Sequence, residues 1–339
     1  MTGRELDLGE ALRAVLHSAL DCNVGYARNL RPLKGGAFSE MFTFELAAAP
    51  PEWSGRLVLR LMSWSEMQVR TEAAVQDGAR SAGLPAPRVL LVEPSSAPLG
   101  SPFMVMEFVE GRPLLGGIGW YRFAQDFPKV VRSWPETFTR TLALLADADI
   151  ASAFETLARH GVTPEAAGTS RHLRWVEQTL PSGTVYDGAV KWLRANQPPP
   201  PDRTCVVHGD LWPSNVFTRG DQITGLVDWT TGAIGDPALD VGFAKVGLAL
   251  MPEPFPPPPP IRRLIHGAGV RLAGQIHERC APLVGGDDRV GYYEALRCMV
   301  QIAVVHHERR QGRRNGWEHG VPALVEHLNT ITGLRLEFE

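Results

Sequence analysis

The stretch that decides the fold is TCVVHGDLWPSNVFTRGDQITGLVDW, residues 204–229. It reads as a short apolar strand, a loop, and two strands joined by a turn at residues 219–222. Asp210 and Asn215 lie in the loop, and Asp228 closes the hairpin. Because a hairpin returns the chain toward its start, we expect Asp228 to lie beside Asn215. The sequence after residue 111 is otherwise helical in pattern, and a hairpin among helices indicates a functional loop.

These three polar side chains suit one kind of chemistry. A carboxylate and an amide oxygen are hard ligands of the type Mg²⁺ takes when substrate phosphates and waters complete its octahedron. We therefore expect Asn215 and Asp228 to bind Mg²⁺, which leaves Asp210 to accept a proton. This division of roles is that of phosphoryl transfer, in which one carboxylate orients and deprotonates a hydroxyl while metal-bound groups neutralise phosphate charge.

Four motifs in this region, VHGD (207–210), Asn215, VDW (227–229) and GDPALD (235–240), resemble in their order and spacing those of the aminoglycoside phosphotransferase and choline kinase family. The resemblance implies a two-lobed, protein-kinase-like α+β fold, with a small β-rich N-lobe at residues 1–108 and a larger helical C-lobe at residues 109–339. The alternative is that His-Gly-Asp is a chance group of turn formers, which the agreement of four ordered motifs disfavours.

Two features of these motifs lead to further expectations. Glycine at position 209, where protein kinases carry arginine in H-R-D, argues for a small-molecule acceptor over a protein. The resemblance gives His208 a supporting role in the loop. Asp236 and Asp240 are likewise expected to donate or accept supporting hydrogen bonds rather than to ligate metal.

Upstream of the hairpin, residues 30–111 read as mostly strands with one helix. Alternating or apolar runs predict strands at residues 41–46, 56–62, 88–93 and 103–108. Ser65 is a suitable N-cap for a helix that runs to the stop signal at Gly83. Downstream, helix-length stretches occupy residues 136–149, 171–180, 262–280, 292–312 and 322–332.

The resemblance also assigns a phosphate-binding half-site to the N-lobe. Gly35, Gly36 and Ser39 lie in a turn that looks like the family's phosphate-covering loop, where glycine lets backbone N–H groups approach the nucleotide. Arg60, in the sequence Val-Leu-Arg, occupies the place where most kinase-like folds have a lysine. Some branches resemble this sequence in having the same arginine, including the kinase-like domain joined to certain acyl-CoA dehydrogenases.

The partners of Arg60 and the adenine-binding segment follow from the same resemblance. Glu72 is the best candidate for an ion pair with Arg60, and Glu66 is the second. Lys34, next to the glycine turn, is the alternative cation. The backbone of Glu107 and Val109 looks like the hinge that presents an acceptor and a donor to adenine, although a plain sheet edge is an equal alternative.

Composition excludes several classes of protein. The chain has 339 residues, a net charge of −3, four cysteines without a C-x-x-C pair, and only four lysines. We expect no nucleic-acid partner, no membrane span, no exported form and a cytoplasmic location. The helical segments are not acid-rich, since residues 262–339 contain 11 basic and 9 acidic side chains. A neutral or anionic hydroxyl acceptor is thus favoured over a polycationic aminoglycoside.

The predicted activity is Mg²⁺-dependent transfer of the γ-phosphoryl group of ATP or GTP to a hydroxyl of a metabolite, antibiotic or hydroxyacyl compound. Two alternatives stay open at this point. The absence of the strand lysine motivates a nucleotide-binding protein without turnover, and the same fold could carry an AMP transferase.

Overall fold

The structure, a computed structural model, describes residues 3–33, 39–116, 120–250, 259–313 and 317–337. The chain divides into two units. The first comprises Met1–Arg112, Ala151–Val162 and Phe217–Val227, and the second Pro113–Ile150, Thr163–Val216 and Asp228–Glu339. Within the described ranges, no helix is both long and apolar enough to cross a lipid bilayer.

The first unit is built on a five-stranded antiparallel sheet with the strand order β1-β2-β3-β5-β4. Two helices accompany it before the chain leaves the sheet. Its elements are α1 (Gly3–Leu20), β1 (Gly25–Leu33), β2 (Ser39–Ala47), β3 (Arg56–Met62), α2 (Glu66–Ser81), β4 (Val89–Glu93) and β5 (Phe103–Glu107).

The rest of the chain is mainly helical, with short strands around the predicted hairpin. Its helices are α3 (Trp120–Asp147), α4 (Ile150–Arg159), α5 (Pro164–Ala167), α6 (Arg171–Thr179), α7 (Asp187–Ala195), α8 (Ala238–Leu250), α9 (Pro259–Cys280), α10 (Asp287–Arg310) and α11 (Val321–Thr332). Its strands are β6 (Arg112–Pro113), β7 (Cys205–Val207), β8 (Val216–Arg219), β9 (Gln222–Leu226) and β10 (Ala233–Gly235). The fold is thus α+β, as predicted, with the main sheet in the first part of the chain and most of the helices after it.

The alternation of β3 determines which way Arg60 faces. Leu57 and Leu59 belong to the apolar cluster that includes residues of α1, whereas Val58 and Met62 belong to the cluster that includes residues of α2. Successive side chains of a strand point to opposite faces. Arg60 is therefore on the α2 side of the sheet, and although it is charged it is buried, like every other residue of β3 after Arg56.

The predicted start of helix α2 is confirmed in detail. Ser65 is its N-cap and forms a capping box with Gln68, which satisfies backbone N–H groups at the first turn. Gly83 follows the helix with φ of +89°, a left-handed conformation that glycine adopts without strain. The strand predictions for residues 41–46, 56–62, 88–93 and 103–108 are also confirmed within one or two residues at most ends.

Helix α3 begins well before the predicted residue 136 and runs through Pro128 and Pro135. Proline removes a backbone hydrogen bond inside a helix, so a start directly after Pro135 is the expected one. In the structure an apolar stripe continues across Pro135, and burial of this stripe outweighs the lost hydrogen bond. The stripe is Val130, Trp134, Phe138, Leu142 and Leu145, all at most 4% exposed.

Candidate active site

The backbone of the loop after β7 requires glycine at position 209. Gly209 has φ of +75°, and a Cβ atom there would lie 2.2 Å from the carbonyl oxygen of Thr231. No other residue fits this space without a shift of the backbone. The structure therefore supplies a local steric reason for the glycine, independent of the size of the acceptor.

Asp240 holds this loop through its backbone. The carboxylate, 1% exposed, accepts hydrogen bonds from the N–H groups of His208 (3.1 Å) and Gly209 (2.6 Å). The supporting role predicted for Asp240 is confirmed by these contacts. Burial raises the pKa of Asp240 from its usual 3.8 to about 7, while the two N–H donors act in the opposite direction and the charge of Asp210 adds to the rise.

This shift predicts a pH dependence of stability. Between about pH 4 and pH 7 the folded protein keeps a proton on Asp240 that the unfolded chain has released, so the contribution of this group is complete below about pH 4 and is lost as pH rises through 7. The free energy of unfolding of the wild type minus that of Asp240→Asn should fall by up to about 1.4 kcal/mol per pH unit in this window. Urea unfolding at several pH values measures it, and a constant difference would contradict the protonation of Asp240.

His208 also supports this loop, as predicted, and Asp236 makes its supporting contacts at the start of α8 and with α10. His208 is fully buried, its Nδ1 lies 3.3 Å from the backbone N–H of Asp210, and its ring packs on Trp229 at 4.6 Å between centroids. Asp236 accepts from the backbone N–H of Ala238 at the start of α8 and pairs with Arg289 at 2.5 Å. Both carboxylate oxygens of Asp236 therefore have partners within the protein.

The carboxylate of Asp210 is held at both oxygens. Asn215 Nδ2 donates to Asp210 Oδ2 and to the backbone carbonyl oxygen of Asp210, each at 3.0 Å. Arg297 Nη2 donates to Oδ1 at 2.9 Å. The side chain of Asp210 is nevertheless 33% exposed, so a ligand can reach it.

Arg297 is the residue of this group that the sequence analysis missed. It lies on α10, far along the chain from the loop, in a stretch that carries no recognisable motif. A signal was present, because an arginine inside the apolar run Leu-Arg-Cys-Met-Val-Gln-Ile-Ala-Val-Val (296–305) must find a polar partner when buried. The sequence could not indicate which carboxylate that partner would be.

Asp228 lies two residues after the end of β9, in a strained backbone conformation with φ of +67°. Aspartate and asparagine tolerate this region better than most residues other than glycine. Thr230 Oγ1 donates to Asp228 Oδ1 at 2.6 Å. Arg171 donates to the carbonyl oxygens of Thr230 (2.9 Å) and Gly232 (2.5 Å), and thereby fixes the segment that follows Asp228.

The donor chemistry of Asn215 and Asp228 fits Mg²⁺. Asn215 uses its amide nitrogen on Asp210, so its oxygen, which is 3.2 Å from Ser214 Oγ, is the atom left to act as a ligand. No group of three or more His, Cys, Asp or Glu side chains in the described ranges could hold a metal ion. One carboxylate and one amide oxygen suit Mg²⁺ rather than Zn²⁺, because Mg²⁺ keeps several waters and binds substrate phosphates. The expected proximity of Asn215 and Asp228 stays a prediction.

In the first unit, Arg60 forms the ion pair that the sequence predicted. Its Nη1 lies 2.5 Å from Glu72 Oε1, and both side chains are at most 5% exposed. Its Nε donates to Ser39 Oγ at 3.1 Å. The guanidinium therefore connects Ser39, the first residue of β2, to Glu72 on α2. Both contacts are on the side of the sheet that faces α2.

Glu107 and Val109, the predicted hinge, are at and beyond the end of β5. The side chain of Glu107 pairs with Arg88 (3.0 Å) and Arg80 (3.3 Å), and its backbone N–H donates to the carbonyl oxygen of Arg88. The backbone N–H of Glu107 is thus occupied within the sheet, and the hinge role of Glu107 and Val109 stays a prediction. Gly35, Gly36 and Lys34 lie outside the described residues.

Arg60 yields a test of the predicted nucleotide half-site. Arg60→Ala should weaken nucleotide binding and slow turnover together, and Arg60→Lys should restore only part, because lysine lacks the planar fork that engages Glu72 and Ser39 at once. We expect a difference between the two variants of about 1 to 2 kcal/mol in binding free energy. Calorimetric titration with nucleotide measures it, with Lys34→Ala in parallel. Wild-type affinity in Arg60→Ala and loss of affinity in Lys34→Ala would move the phosphate-binding cation to residue 34.

Comparison with known proteins identifies a protein family and several distant relatives. Residues 29–283 match the family model described as the phosphotransferase enzyme family, APH. Acyl-CoA dehydrogenase family member 11 of Rattus norvegicus is 26% identical over 191 residues, which cover 53% of this chain and 23% of that protein. A probable acyl-CoA dehydrogenase of Arabidopsis thaliana, IBR3, is 27% identical over 184 residues, 48% of this chain and 20% of that protein. The chain thus spans less than a quarter of the length of these relatives.

Among solved structures, the fold matches aminoglycoside phosphotransferase APH(4)-Ia. A thermostable mutant of that enzyme, in ternary complex with ADP and hygromycin B, superposes with a TM-score of 0.61 at 16% identity. The match covers 95% of this chain and 98% of that one. The matched family model spans the main sheet, the loop after β7 and the hairpin, and the chain belongs to the phosphotransferase enzyme family.

Proposed function

We propose that this protein transfers the γ-phosphoryl group of ATP or GTP to a hydroxyl group of a small molecule. The observation that carries the proposal is the state of Asp210, a partly exposed carboxylate held at both oxygens by fixed donors in a loop that glycine and Asp240 shape. Such a group can orient a hydroxyl and take its proton. Family membership supports the same reaction class.

In the proposed reaction the acceptor oxygen loses its proton to Asp210 and forms a bond to the γ-phosphorus. The bond between that phosphorus and the β,γ-bridging oxygen breaks, and a nucleoside diphosphate leaves. Asn215 and Asp228 would hold Mg²⁺, which neutralises phosphate charge when bound. Arg60 would bind the α- and β-phosphates, oriented by Glu72 and Ser39, and the backbone of Glu107 and Val109 would contact adenine.

The proposed acceptor is a neutral or anionic hydroxyl compound rather than a polycation. The helical segments carry no acidic excess that would attract several ammonium groups. In addition, a cation, Arg297, already contacts the carboxylate that must meet the acceptor hydroxyl. An ammonium group brought close to this position would meet like charge.

An acceptor screen tests the proposal. The wild type is incubated with Mg²⁺ and nucleotide labelled in the γ-phosphate, against hydroxyacyl compounds, neutral sugar alcohols, macrolides and aminoglycosides. We expect labelled product from a neutral or anionic acceptor, with none when EDTA removes the metal. Asp210→Asn is the matched control. Labelling of aminoglycosides alone would contradict the acceptor class, and Mg²⁺-independent labelling would contradict the metal assignment.

A further inference from the structure

Arg297 is a buried arginine whose ionic partner is the proposed catalytic base. Its side chain is 9% exposed, and Nη2 lies 2.9 Å from Asp210 Oδ1. Across the described part of the chain, Asp210 is the one acidic side chain in direct contact with it. A buried guanidinium without a partner carries a large desolvation cost, so this pairing is a fixed feature of the fold.

The guanidinium is held in place by groups other than Asp210. With the amide of Gln301 oriented so that its oxygen faces Arg297, that oxygen accepts from Nη2 at 2.8 Å and from Nε at 3.1 Å. Gln301 is one helical turn further along α10. The guanidinium also lies over the ring of Phe243 on α8, 4.9 Å from its centroid. Two of its three nitrogens are therefore oriented by Gln301, and its face by Phe243.

The packing of α8 on α10 sets the position of this assembly. A Cβ atom at Gly242 would lie 2.7 Å from Tyr293 Cβ and 2.9 Å from the backbone nitrogen of Glu294, so glycine allows the two helices to approach closely. Phe243 follows Gly242, and Arg297 is one turn after Tyr293 on the same face of α10. This close contact between the two helices is thus next to the guanidinium, which limits the freedom of Arg297 to move.

We infer that Arg297 is a positioning residue for Asp210 in phosphoryl transfer, a role that rests on the proposed function. Asn215 fixes Oδ2 and Arg297 fixes Oδ1, so the two donors together set the plane of the carboxylate. The lone pairs not used by these donors are left for the acceptor hydroxyl. Without Arg297 the carboxylate can rotate about its Cβ–Cγ bond, and misplacement of a reacting group by about 1 Å can cost about 10²-fold in rate.

Two other roles for Arg297 make different predictions. A purely stabilising ion pair would change the melting temperature and leave kcat of the folded enzyme unchanged. An acceptor-binding role would raise KM for the acceptor and leave kcat largely intact. If Arg297 is a positioning residue, its removal lowers kcat and leaves KM for nucleotide and acceptor nearly unchanged. A free cation that occupies the place of the missing side chain should then restore part of kcat.

The experiment compares Arg297→Ala, Arg297→Lys and the control Arg310→Ala, an exposed arginine at the end of the same helix. The acceptor is the one that the wild type phosphorylates fastest in the screen. We expect kcat of Arg297→Ala to fall about 30- to 100-fold with both KM values within about threefold, Arg297→Lys to recover part, and Arg310→Ala to match the wild type. Guanidinium ion at tens of millimolar should raise kcat of Arg297→Ala at least about fivefold and have no such effect on Asp210→Asn.

Each other outcome bears on a specific claim. Wild-type kcat in folded Arg297→Ala, or a raised acceptor KM at unchanged kcat, would overturn the positioning role. If Arg297→Ala does not fold, Arg297→Lys decides: a kcat at least about threefold below wild type at unchanged KM supports the role, and wild-type kcat overturns it. If the wild type itself transfers no phosphate, the proposed function fails, and the inference fails with it.

Discussion

Asp210→Asn should lower kcat by about 10²-fold or more while nucleotide affinity stays within about threefold of the wild type. The amide is far less basic than the carboxylate and cannot take the acceptor proton. It also has a single oxygen, so it can accept from Asn215 or from Arg297, and the other donor then faces an N–H group. Steady-state kinetics and calorimetric titration with nucleotide measure the two quantities.

The control for this prediction is the thermal stability of the Asp210→Asn variant. Because the amide leaves one donor without an acceptor, thermal unfolding of Asp210→Asn must be measured so that kcat is compared below the unfolding transition of both proteins. Near-normal kcat in the folded variant would show that another group accepts the proton. Loss of nucleotide binding together with kcat would place Asp210 in nucleotide binding instead.

Asp228→Asn should abolish Mg²⁺-dependent nucleotide binding more completely than Asn215→Ala. Asp228 supplies the charged ligand of the proposed pair, and a divalent ion loses more from removal of a carboxylate than of an amide oxygen. Asparagine is the right replacement, because it tolerates the left-handed conformation at φ of +67° and can accept the hydrogen bond from Thr230. The variant thus removes the charge and leaves the backbone in place.

Calorimetric titration with nucleotide, with and without Mg²⁺, measures this effect. Asp228→Ala is the matched control for backbone strain, since alanine is disfavoured at this φ and should lower the melting temperature as well. Equal Mg²⁺-dependent binding by the wild type and Asp228→Asn would show that the metal binds elsewhere. Equal losses in Asp228→Asn and Asn215→Ala would contradict the ranking of the two ligands.

The sequence predicted those parts of the site that are close together along the chain. Asp210 and Asn215 share one loop, and their hydrogen bond follows from that short spacing. The pairing of Arg60 with Glu72 was predictable because a strand followed by a helix brings such positions together, and the resemblance indicated which ones. Short-range chemistry and motif order were sufficient to single out these residues, although the hydrogen bond between Asp210 and Asn215 was not itself predicted.

What the sequence could not give depends on the packing of helices. Arg297 reaches Asp210 only because α10 packs closely on α8 at Gly242, and no periodicity of either helix specifies that approach. The early start of α3 has the same kind of cause, since burial of Trp134 and Phe138 overrides the prolines. The conformation of Asp228 also escaped prediction, because Asp228 was expected to close the hairpin and instead lies two residues after β9, which ends at Leu226.

The fate of a label on the nucleotide distinguishes phosphoryl transfer from both alternative functions. The wild type and Asp210→Asn are incubated with Mg²⁺, the best acceptor from the screen, and ATP labelled at either the α- or the γ-phosphate. We expect γ-label to enter the product, α-label to leave as the diphosphate, and Asp210→Asn to transfer neither at a comparable rate. Transfer of α-label would show an AMP transferase, and tight nucleotide binding without transfer of either label would show a binding protein without turnover.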